Sequence, residues 1–459
     1  MSIVVNIFRF ILAITFILSG FVKAIDPIGT QIKLQDYLDA VGLLQMAPDM
    51  LTLGVAVALS TLEFLLGMLM LFAIHRRLTT RVMVIFMTVM TAITVWIFIA
   101  NPVSDCGCFG DAIHLTNGQT LLKNVILLAM AIVVAAKPLL MPRFVKMNSQ
   151  AIVLNYTLFF IIALSAWCLY DLPVFDFRPY SVGTNIIKGM EIPEGAELPE
   201  FETTFILEKD GVQKEFTLND YPDSTWTFID SKTVQTKEGY VPPIHDFSLT
   251  LVSNGTEDFS SEYAPGDDIT DDVLAFEGYT FLLVSPHLEQ ADDSNFGNID
   301  MLYEYATEKG CKFYCLTASG DSAIAHWSDI TGAEYAFAHT DETTLKTIIR
   351  SNPGLLLLHN GTIIGKWSHN RLPVKKLLTA KVEPSQLSQE QTDDPLRKLM
   401  QIALWFALPL LLLVISDKHW FWSRMFHRPK TKEEGISQSP VAPETDTENI
   451  ENKTEITPK

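Results

Sequence analysis

Six apolar stretches, each long enough to cross a lipid bilayer, constrain the fold of this 459-residue chain more than any other feature. A transmembrane helix needs about 20 mostly apolar residues. Arg9 lies inside the first stretch and no small-residue cleavage site precedes Asp26, so we interpret that stretch as an uncleaved span and not as a signal peptide. The six stretches are Ile3–Ala24, Leu51–Ile74, Val82–Ala100, Thr120–Ala136, Ile152–Tyr170 and Leu399–Ile415.

The charges of the chain are separated from its apolar residues. The formal net charge is −19, yet residues 171–395 alone contain 15 Lys and Arg against 38 Asp and Glu, a net charge of −23. The rest of the chain therefore carries +4. This distribution predicts an integral membrane protein with a large acidic soluble domain. The apolar spans predict the lipid bilayer as a partner. Because no strongly basic surface is indicated, we predict that the protein does not bind nucleic acid.

The loops between the spans predict the orientation, because cytoplasmic loops are enriched in Lys and Arg. Segments 75–81 and 137–150 each carry three basic residues and no acid, whereas segments 25–50 and 101–119 are acidic. We therefore predict a multi-pass protein of the inner (cytoplasmic) membrane with both termini in the cytoplasm. Residues 172–397 are then extracytoplasmic, or periplasmic.

Local patterns divide the chain further. Short apolar runs alternate with turn residues between the fifth span and residue 242, which indicates a β-rich segment. Strands and helices then alternate, as in an α/β domain. The predicted organisation is a four-helix membrane domain (1–145), a fifth span (146–171), a β-rich segment (172–242), an α/β domain (243–382), a linker (383–397), a sixth span (398–418) and a disordered cytoplasmic tail (419–459).

The α/β segment resembles the thioredoxin fold in its peroxiredoxin-like form. Two final strands, Gly354–His359 and Thr362–Ser368, follow Asn352-Pro353, where that family has a cis-proline beside its active disulfide. The family's Cys-x-x-Cys follows the first core strand, but this chain has Ser285-Pro-His-Leu-Glu-Gln290 there. We therefore expect a thioredoxin-like domain without Cys-x-x-Cys chemistry, which favours a binding or docking role.

Cys106 and Cys108 flank a single glycine in Asp105-Cys-Gly-Cys-Phe-Gly-Asp111, directly after the third span. A disulfide between them closes a small, strained ring, and strained disulfides exchange readily. We therefore predict a catalytic redox pair on the extracytoplasmic face. Two alternatives remain open from the residues alone: an inert loop disulfide or free thiols, and a metal site with His114 as a third ligand.

The remaining cysteines favour a different role. Cys168 lies inside an apolar span, and Cys311 and Cys315 lie along a predicted strand. A strand rises about 3.3 Å per residue, so the Cα atoms of the last two are ~13 Å apart, too far for a disulfide. We predict buried core residues at these positions.

The first 145 residues resemble the MauE/DoxX group of redox-associated membrane proteins. The resemblance rests on Cys106-Gly-Cys-Phe-Gly110 and on Phe16-Ile-Leu-Ser-Gly-Phe-Val-Lys-Ala-Ile-Asp-Pro27. It implies a four-helix membrane core, extracytoplasmic thiol–disulfide handling and, from the DoxX side, a membrane quinone as cofactor. MauE proteins work beside a separate thioredoxin-like protein, so the fusion in this chain implies a joint role with an extracytoplasmic thiol protein as partner.

Glu63 lies near the middle of the second span, where a carboxylate is costly and indicates a function. It could stay protonated, pair with Arg9 of the first span, or relay a proton during quinone reduction. A purely structural pair that fixes helix packing is the alternative. Lys123 opens the fourth span, and we interpret it as an interfacial lysine, with a role in lowering a thiol pKa as the alternative.

These observations leave two hypotheses for the whole chain. In the first, it is a membrane component of thiol–disulfide or quinone-linked electron transfer that works through Cys106 and Cys108. In the second, it is a non-enzymatic envelope anchor or scaffold whose thioredoxin-like domain binds a protein partner.

Overall fold

The chain forms a helical bundle, an α/β domain and a long final helix. The bundle lies in the N-terminal third of the chain, and the α/β domain follows its fifth long helix. The computed structural model describes residues 1–101, 107, 110–113, 115–197, 200–209, 212–217, 222, 226–237, 239–253, 263–379, 384 and 395–426.

Six helices in this described part are long and apolar enough to cross a membrane, which confirms the predicted spans. A shorter helix, α2, runs between the first two of them along the acidic loop 25–50. The last spanning helix continues beyond its predicted end, and residues 427–459 of the predicted tail lie outside the described residues. The helices are α1 (Ser2–Ile25), α2 (Pro27–Ala40), α3 (Asp49–Phe72), α4 (Arg76–Ala100), α5 (Asn117–Ala136), α6 (Gln150–Tyr170) and α12 (Pro395–Phe426).

Helices α1 and α3 approach each other closely because glycines face the partner helix. A Cβ atom on Gly20 would lie 2.3 Å from the backbone nitrogen of Phe64, and one on Gly67 would lie 2.7 Å from that of Ile17. Small residues permit this close packing between helices in a membrane, where burial of apolar surface gives little driving force. The two contacts fix the register of α1 against α3, and so decide which polar side chains meet.

The loops gather at two opposite ends of the bundle. At one end, Arg76 donates a hydrogen bond to the carbonyl of Met141 (2.7 Å), and the Lys146 backbone donates to Asp417 (2.9 Å). At the other end, named the domain end here, the loop that precedes α2 and the loop that precedes α5 contact the α/β domain. Alternate loops therefore lie at opposite ends, as expected for successive crossings.

The α/β domain begins with a short helix and an antiparallel sheet of three strands. Helix α7 (Ile186–Met190) precedes β1 (Glu200–Lys209), β2 (Val212–Thr217) and β3 (Thr227–Lys237). Strand β1 is central and pairs with both others. These three strands lie within the segment for which the sequence predicts a β-rich character.

A six-stranded sheet forms the centre of the domain, in the order β4-β7-β6-β5-β8-β9. Strands β5, β6 and β7 are parallel, and the other neighbours are antiparallel. The strands are β4 (Thr250–Ser253), β5 (Tyr279–Ser285), β6 (Lys312–Thr317), β7 (Ala336–His339), β8 (Gly354–His359) and β9 (Thr362–Ser368), and the helices between them are α8 (Thr270–Leu274), α9 (Phe296–Glu308), α10 (Asp321–Thr331) and α11 (Glu342–Ile348).

The parallel β-α-β core, closed by an antiparallel hairpin, has the arrangement of the thioredoxin fold. The Asn352–Pro353 peptide bond that precedes β8 is cis, as that resemblance implies. Asn360 and Gly361 both have positive φ, as the predicted tight turn of the hairpin requires. Neighbouring residues on a strand point to opposite faces of the sheet. The apolar residues of the strands therefore contribute to two buried clusters, one on each face.

Candidate functional site

The two predicted redox cysteines, Cys106 and Cys108, lie outside the described residues, as does His114. Gly107 between the cysteines is described, with a φ of +58°. A Cβ atom on Gly107 would lie 3.1 Å from Cγ of Lys33, so Gly107 lies against helix α2. Gly107 therefore lies at the domain end of the bundle, beside α2.

Gly107 lines a cavity of about 140 Å³ at the domain end of the bundle, named the interface pocket here. The helices contribute apolar side chains to its wall: Val22, Leu34, Ala56, Leu59, Met90 and Ile93. Polar side chains lie among them: Lys23, Asp26, Thr30, Lys33, Tyr37 and Asp111. The pocket is therefore amphipathic, with more apolar than polar groups.

The segment that enters the α/β domain closes the other side of the interface pocket. Phe175, Phe177 and Arg178 line it from there. The rings of Phe175 and Phe177 are stacked with centroids 6.2 Å apart, and the Phe175 ring lies 6.5 Å from that of Phe21 in α1. Neither the bundle nor the α/β domain forms this pocket alone.

Arg350 of the α/β domain holds the two sides together. Its guanidinium Nε lies 3.1 Å from both carboxylate oxygens of Asp26, and its Nη2 lies 3.1 Å from Asp111 Oδ2. Asp26 also accepts a hydrogen bond from the backbone of Gly29 (2.8 Å) and thereby caps helix α2. Asp111 follows Cys108 by three positions and Arg350 precedes the cis-proline Pro353 by three, so this ion-pair cluster joins the two sequence motifs.

Glu63 forms a buried ion pair, but not with Arg9. Lys23 Nζ lies 2.6 Å and 2.8 Å from the two carboxylate oxygens of Glu63, and Ser19 donates a third hydrogen bond at 2.7 Å. The side chains of Lys23 and Glu63 are only 6% and 4% exposed. Contacts between α1 and α3 at Gly20 place this part of α1 beside Glu63.

The predicted alternative that Glu63 pairs with Arg9 is therefore wrong. Arg9 lies 14 residues before Lys23 in α1, about 21 Å along the helix axis. It donates hydrogen bonds to the carbonyls of Met70 (2.8 Å), Leu71 and Pro142 (3.1 Å). Arg9 thus satisfies carbonyls at the C-terminal end of α3, where a cation is favourable.

A second, smaller cavity of about 30 Å³, named the bundle cavity here, lies beside this pair. Glu63, Lys23, Lys123 and Asn124 line it together with apolar residues of α1, α4 and α5. Lys123, interpreted from the sequence as an interfacial lysine, thus reaches the same cavity as Glu63. Lys23 and Met90 line both this cavity and the interface pocket.

The thioredoxin-like domain has no thiol where its family places the active disulfide. Ser285 donates a hydrogen bond to Asn352 (2.6 Å), and Asn352 donates to the carbonyl of His287 (2.8 Å), so polar bonds tie this segment to the cis-proline loop. Cys315 is fully buried in β6, and burial raises the pKa of its thiol well above the usual range. Cys168 is also buried, and Cys311 is half-buried beside β6.

A second buried ion-pair cluster lies behind the pocket, inside the α/β domain. Lys366 Nζ lies 2.6 Å from Asp176, and also donates to the carbonyls of Tyr180 (3.1 Å) and Ile348. Arg178 Nε lies 2.7 Å from the other oxygen of Asp176. Burial alone raises the pKa of Asp176, but the charges and hydrogen bonds of Lys366 and Arg178 outweigh it, and its pKa is below the usual value.

The six apolar helices and the α/β domain define a multi-pass membrane protein with a thioredoxin-like domain. Residues 1–137 match the family model described as methylamine utilisation protein MauE. The N-terminal membrane domain of the chain is therefore similar to the MauE family, as the sequence motifs imply.

Other comparisons are narrower. Residues 201–238 match a domain of unknown function, DUF8463, and no curated protein matches the chain. A solution structure from Bacteroides thetaiotaomicron, described as a candidate protein disulfide isomerase, is 12% identical, with an alignment that covers 30% of this chain and 82% of that chain at a TM-score of 0.23. The thioredoxin-like assignment here rests on the strand order and connections of this domain.

Sequence reasoning missed two residues of this site. Lys23 lies on the same face of α1 as Ser19, four residues earlier, and that spacing could have indicated a polar face towards α3. Arg350 gives no such signal, because its partners Asp26 and Asp111 are more than 200 positions away in the chain.

Proposed function

We propose that this protein takes part in thiol–disulfide exchange at the extracytoplasmic face of the inner membrane through Cys106 and Cys108. The observation that supports this most strongly is that Gly107, between the two cysteines of a MauE-family domain, lines a pocket beneath a thioredoxin-like domain. The sequence-based orientation, with both termini in the cytoplasm, belongs to the same proposal.

Electrons are conserved in this exchange when the partner is a protein with two thiols of its own. A thiolate of the extracytoplasmic partner attacks the Cys106–Cys108 disulfide and forms a mixed disulfide, which releases the other cysteine as a thiolate. The partner's second thiolate then displaces the first cysteine, so the partner is oxidised by two electrons and the pair is reduced by two. The reverse sequence reduces a partner disulfide.

A two-electron acceptor from the membrane returns the pair to the disulfide, and a quinone has the right chemistry. Oxidation of two thiols releases two protons. Glu63 relays one of these protons with Lys23, because the pair is buried yet adjoins both the interface pocket and the bundle cavity. In this proposal Glu63 transfers protons and does not only hold α1 against α3.

The absence of a thiol at Ser285–Gln290 supports a second candidate function, that of a scaffold. In that function, the α/β domain binds an extracytoplasmic protein and the helices act as its anchor. The two functions differ in whether Cys106 and Cys108 change oxidation state.

The test is differential alkylation of the full chain in native membranes, before and after a pulse of a small dithiol reductant. We expect Cys106 and Cys108 to become alkylated together after the pulse and to return to the protected disulfide during the chase. The Cys108→Ser variant should accumulate a mixed disulfide with its partner.

Cys311→Ser and Cys168→Ser are the matched controls, because these cysteines lie outside the motif and should leave the cycle unchanged. Cys106 and Cys108 that stay in one oxidation state throughout the pulse and chase contradict the exchange function and favour the scaffold.

A further inference from the structure

A groove of about 610 Å³, named the α7 groove here, lies between helix α7 and the start of β9 in the α/β domain. We propose that this groove binds an acidic saccharide, whose carboxylate meets Arg178 and Lys188 and whose hydroxyl groups meet polar side chains of the groove. The site goes beyond the proposed function, and no cysteine takes part in it.

The charge of the α7 groove differs from that of the domain around it. Residues 171–395 contain 15 basic against 38 acidic residues, a net charge of −23. The groove, by contrast, is lined by two basic residues, Arg178 and Lys188, and by no acidic residue of the described part of the chain. A cleft lined by one sign of charge attracts ligands of the opposite sign. The groove therefore favours an anionic ligand.

Arg178 is the buried cation of the groove, and it lines the interface pocket as well. Its side chain is only 4% exposed. Its Nε is bonded to Asp176, and its Nη1 donates to the carbonyl of Thr347 (3.0 Å), whereas its Nη2 has no hydrogen-bond partner within the described residues. Arg178 can therefore donate to a ligand without giving up a bond that it makes in the α/β domain.

The buried cluster behind the groove adds to the attraction for an anion. Within the α/β domain, two cations, Arg178 and Lys366, face the single carboxylate of Asp176. Burial lowers the pKa of Lys366 to about 8, so this side chain is still mostly protonated at neutral pH. One negative charge at the Arg178 end of the groove would offset the second buried cation.

The backbone of the groove favours a carboxylate over a phosphate group. Phosphate sites commonly use several backbone N–H groups. Here the N–H groups of Gly183, Thr184 and Gly189 are already bonded within the chain, and Pro179 and Pro243 have none. The cationic side chains of the groove remain, and they match the two oxygens of a single carboxylate.

Hydroxyl side chains provide the remaining polar contacts. The hydroxyls of Ser181 and Thr184 share one hydrogen bond (3.2 Å), so one of their two O–H groups remains able to donate. The hydroxyl of Thr362 accepts a hydrogen bond from Asn185 (2.9 Å) and keeps its own O–H group for a ligand. These groups complement a ligand that carries several hydroxyls.

The size and the apolar wall of the groove fit saturated rings. An apolar cavity of about 150 Å³ in another protein holds one benzene molecule, so the α7 groove has room for two six-membered rings. Pro243 and Ile244 provide apolar surface for the C–H face of such a ring, and no aromatic residue of the described part of the chain lines the groove. A disaccharide with one carboxylate meets all of these conditions.

The place of the groove on the domain favours a ligand from solution and not a lipid head group. Ser368 at the end of β9 donates a hydrogen bond to Asp171, the residue that follows α6 (3.3 Å). Thr362, which lines the groove, is six residues earlier in the strand, and a strand rises about 3.3 Å per residue. The Thr362 end of the groove is therefore about 20 Å along β9 from the point where the chain leaves its fifth span.

The first experiment is isothermal titration calorimetry of the full chain in lipid nanodiscs with three matched disaccharides: cellobiouronic acid, neutral cellobiose, and cellobiose with a phosphate on the same carbon as the carboxylate. We expect the carboxylated disaccharide to bind at least about tenfold more tightly than cellobiose. No binding, or equal affinity of these two, overturns the proposal. Tighter binding of the phosphorylated sugar overturns the carboxylate assignment, and tighter binding of a short glutamate peptide overturns the saccharide assignment.

A charge-removing variant locates the site. Lys188 is exposed, so Lys188→Gln should fold as the wild type does, and it should weaken binding of cellobiouronic acid about tenfold. Lys309→Gln is the matched control, because Lys309 is an exposed lysine of the same domain that does not line the groove. Equal affinity of the two variants contradicts the site.

A protection experiment on the wild type gives a second readout without any substitution. Cellobiouronic acid should slow the acetylation of Lys188 by an amine-reactive reagent and leave that of Lys309 unchanged, whereas cellobiose should slow neither. Equal rates at Lys188 with and without cellobiouronic acid place the ligand elsewhere and overturn the proposal.

Discussion

The bundle and the α/β domain each contain a buried lysine–carboxylate pair, and the two pairs have different surroundings. Lys23–Glu63 in the bundle and Lys366–Asp176 in the α/β domain have the same N–O distance of 2.6 Å. Lys366 is also bonded to two backbone carbonyls, and Asp176 to Arg178. Glu63, by contrast, lines one cavity, and Lys23 lines two.

The difference teaches that burial and pairing alone do not identify a functional ion pair. A pair whose hydrogen-bonding capacity is filled by the protein stabilises one arrangement of the chain. A pair that borders cavities can meet a ligand, a water molecule or a proton donor. We therefore assign a structural role to Lys366–Asp176, and we propose a chemical one for Lys23–Glu63.

The largest expected effect is the loss of stability in Asp176→Asn. This change leaves the buried cations Lys366 and Arg178 without a counter-charge, so we expect the free energy of unfolding to fall by about 3–5 kcal/mol. Denaturant-dependent proteolysis of the α/β domain in the full chain measures it. The cysteine redox cycle of the protein that remains folded should match that of the wild type, and a changed cycle contradicts the structural assignment.

The next effect concerns the rate of the cysteine cycle in Glu63→Gln. Loss of a proton-relaying carboxylate should slow reoxidation of Cys106 and Cys108 on the order of a hundredfold. Glu63 lines a cavity with Lys23 of α1 and Lys123 of α5, and Lys23 also lines the interface pocket. The rate must therefore be measured in the full chain.

Thr61→Val is the matched control for Glu63→Gln. Thr61 is a buried polar residue of the same helix, and its hydroxyl has no hydrogen-bond partner within the described part of the chain. The Val variant should cycle at the wild-type rate. If Glu63→Gln also retains the wild-type rate, the relay is ruled out and the pair is structural.

A smaller effect is the acid sensitivity of the α/β domain. The pKa of Asp176 is below the unfolded value of about 3.9, so its contribution to stability is present above that pH and is lost as the pH falls through the folded pKa. Each unit of pKa difference corresponds to about 1.4 kcal/mol. Unfolding titrations from pH 6 towards about pH 2 should show this loss in the wild type. If the same loss of stability at low pH is found in Asp176→Asn, other carboxylates cause it.

The smallest expected effect is that of an exposed pair. Glu342 accepts from Lys346, one turn later in α11, and from His287 at 3.0 Å, and its side chain is 43% exposed. Solvent screens such charges, so Glu342→Gln should change the free energy of unfolding by less than about 1 kcal/mol. A loss as large as that in Asp176→Asn would remove the distinction between buried and exposed pairs.

Local patterns were sufficient for most of the secondary structure. The strands Lys312–Thr317, Gly354–His359 and Thr362–Ser368 have the bounds that the apolar runs and turn residues predict. The six spans agree as well, because a bilayer-length apolar helix is encoded in consecutive residues. The MauE motif and the cis-proline position were also recognisable from neighbouring residues.

The partners of charged residues were not predictable in the same way. The sequence marked Glu63 as costly to bury, but the depth of α1 against α3 decides between Arg9 and Lys23. The close contacts of Gly20 and Gly67 set that depth. A shift of a few residues in such a register changes every polar contact along the helix pair.

The sequence by itself determined the six spans, the alternation of strands and helices in the α/β domain and the spacing of the Cys106-Gly107-Cys108 motif, because each follows from the periodicity or spacing of adjacent residues. Only the tertiary structure decided that Lys23 pairs with Glu63, that Arg350 joins Asp26 and Asp111, and that two parts of the chain enclose one pocket. These contacts join residues 40 to more than 300 positions apart, and close packing of whole helices and domains determines them.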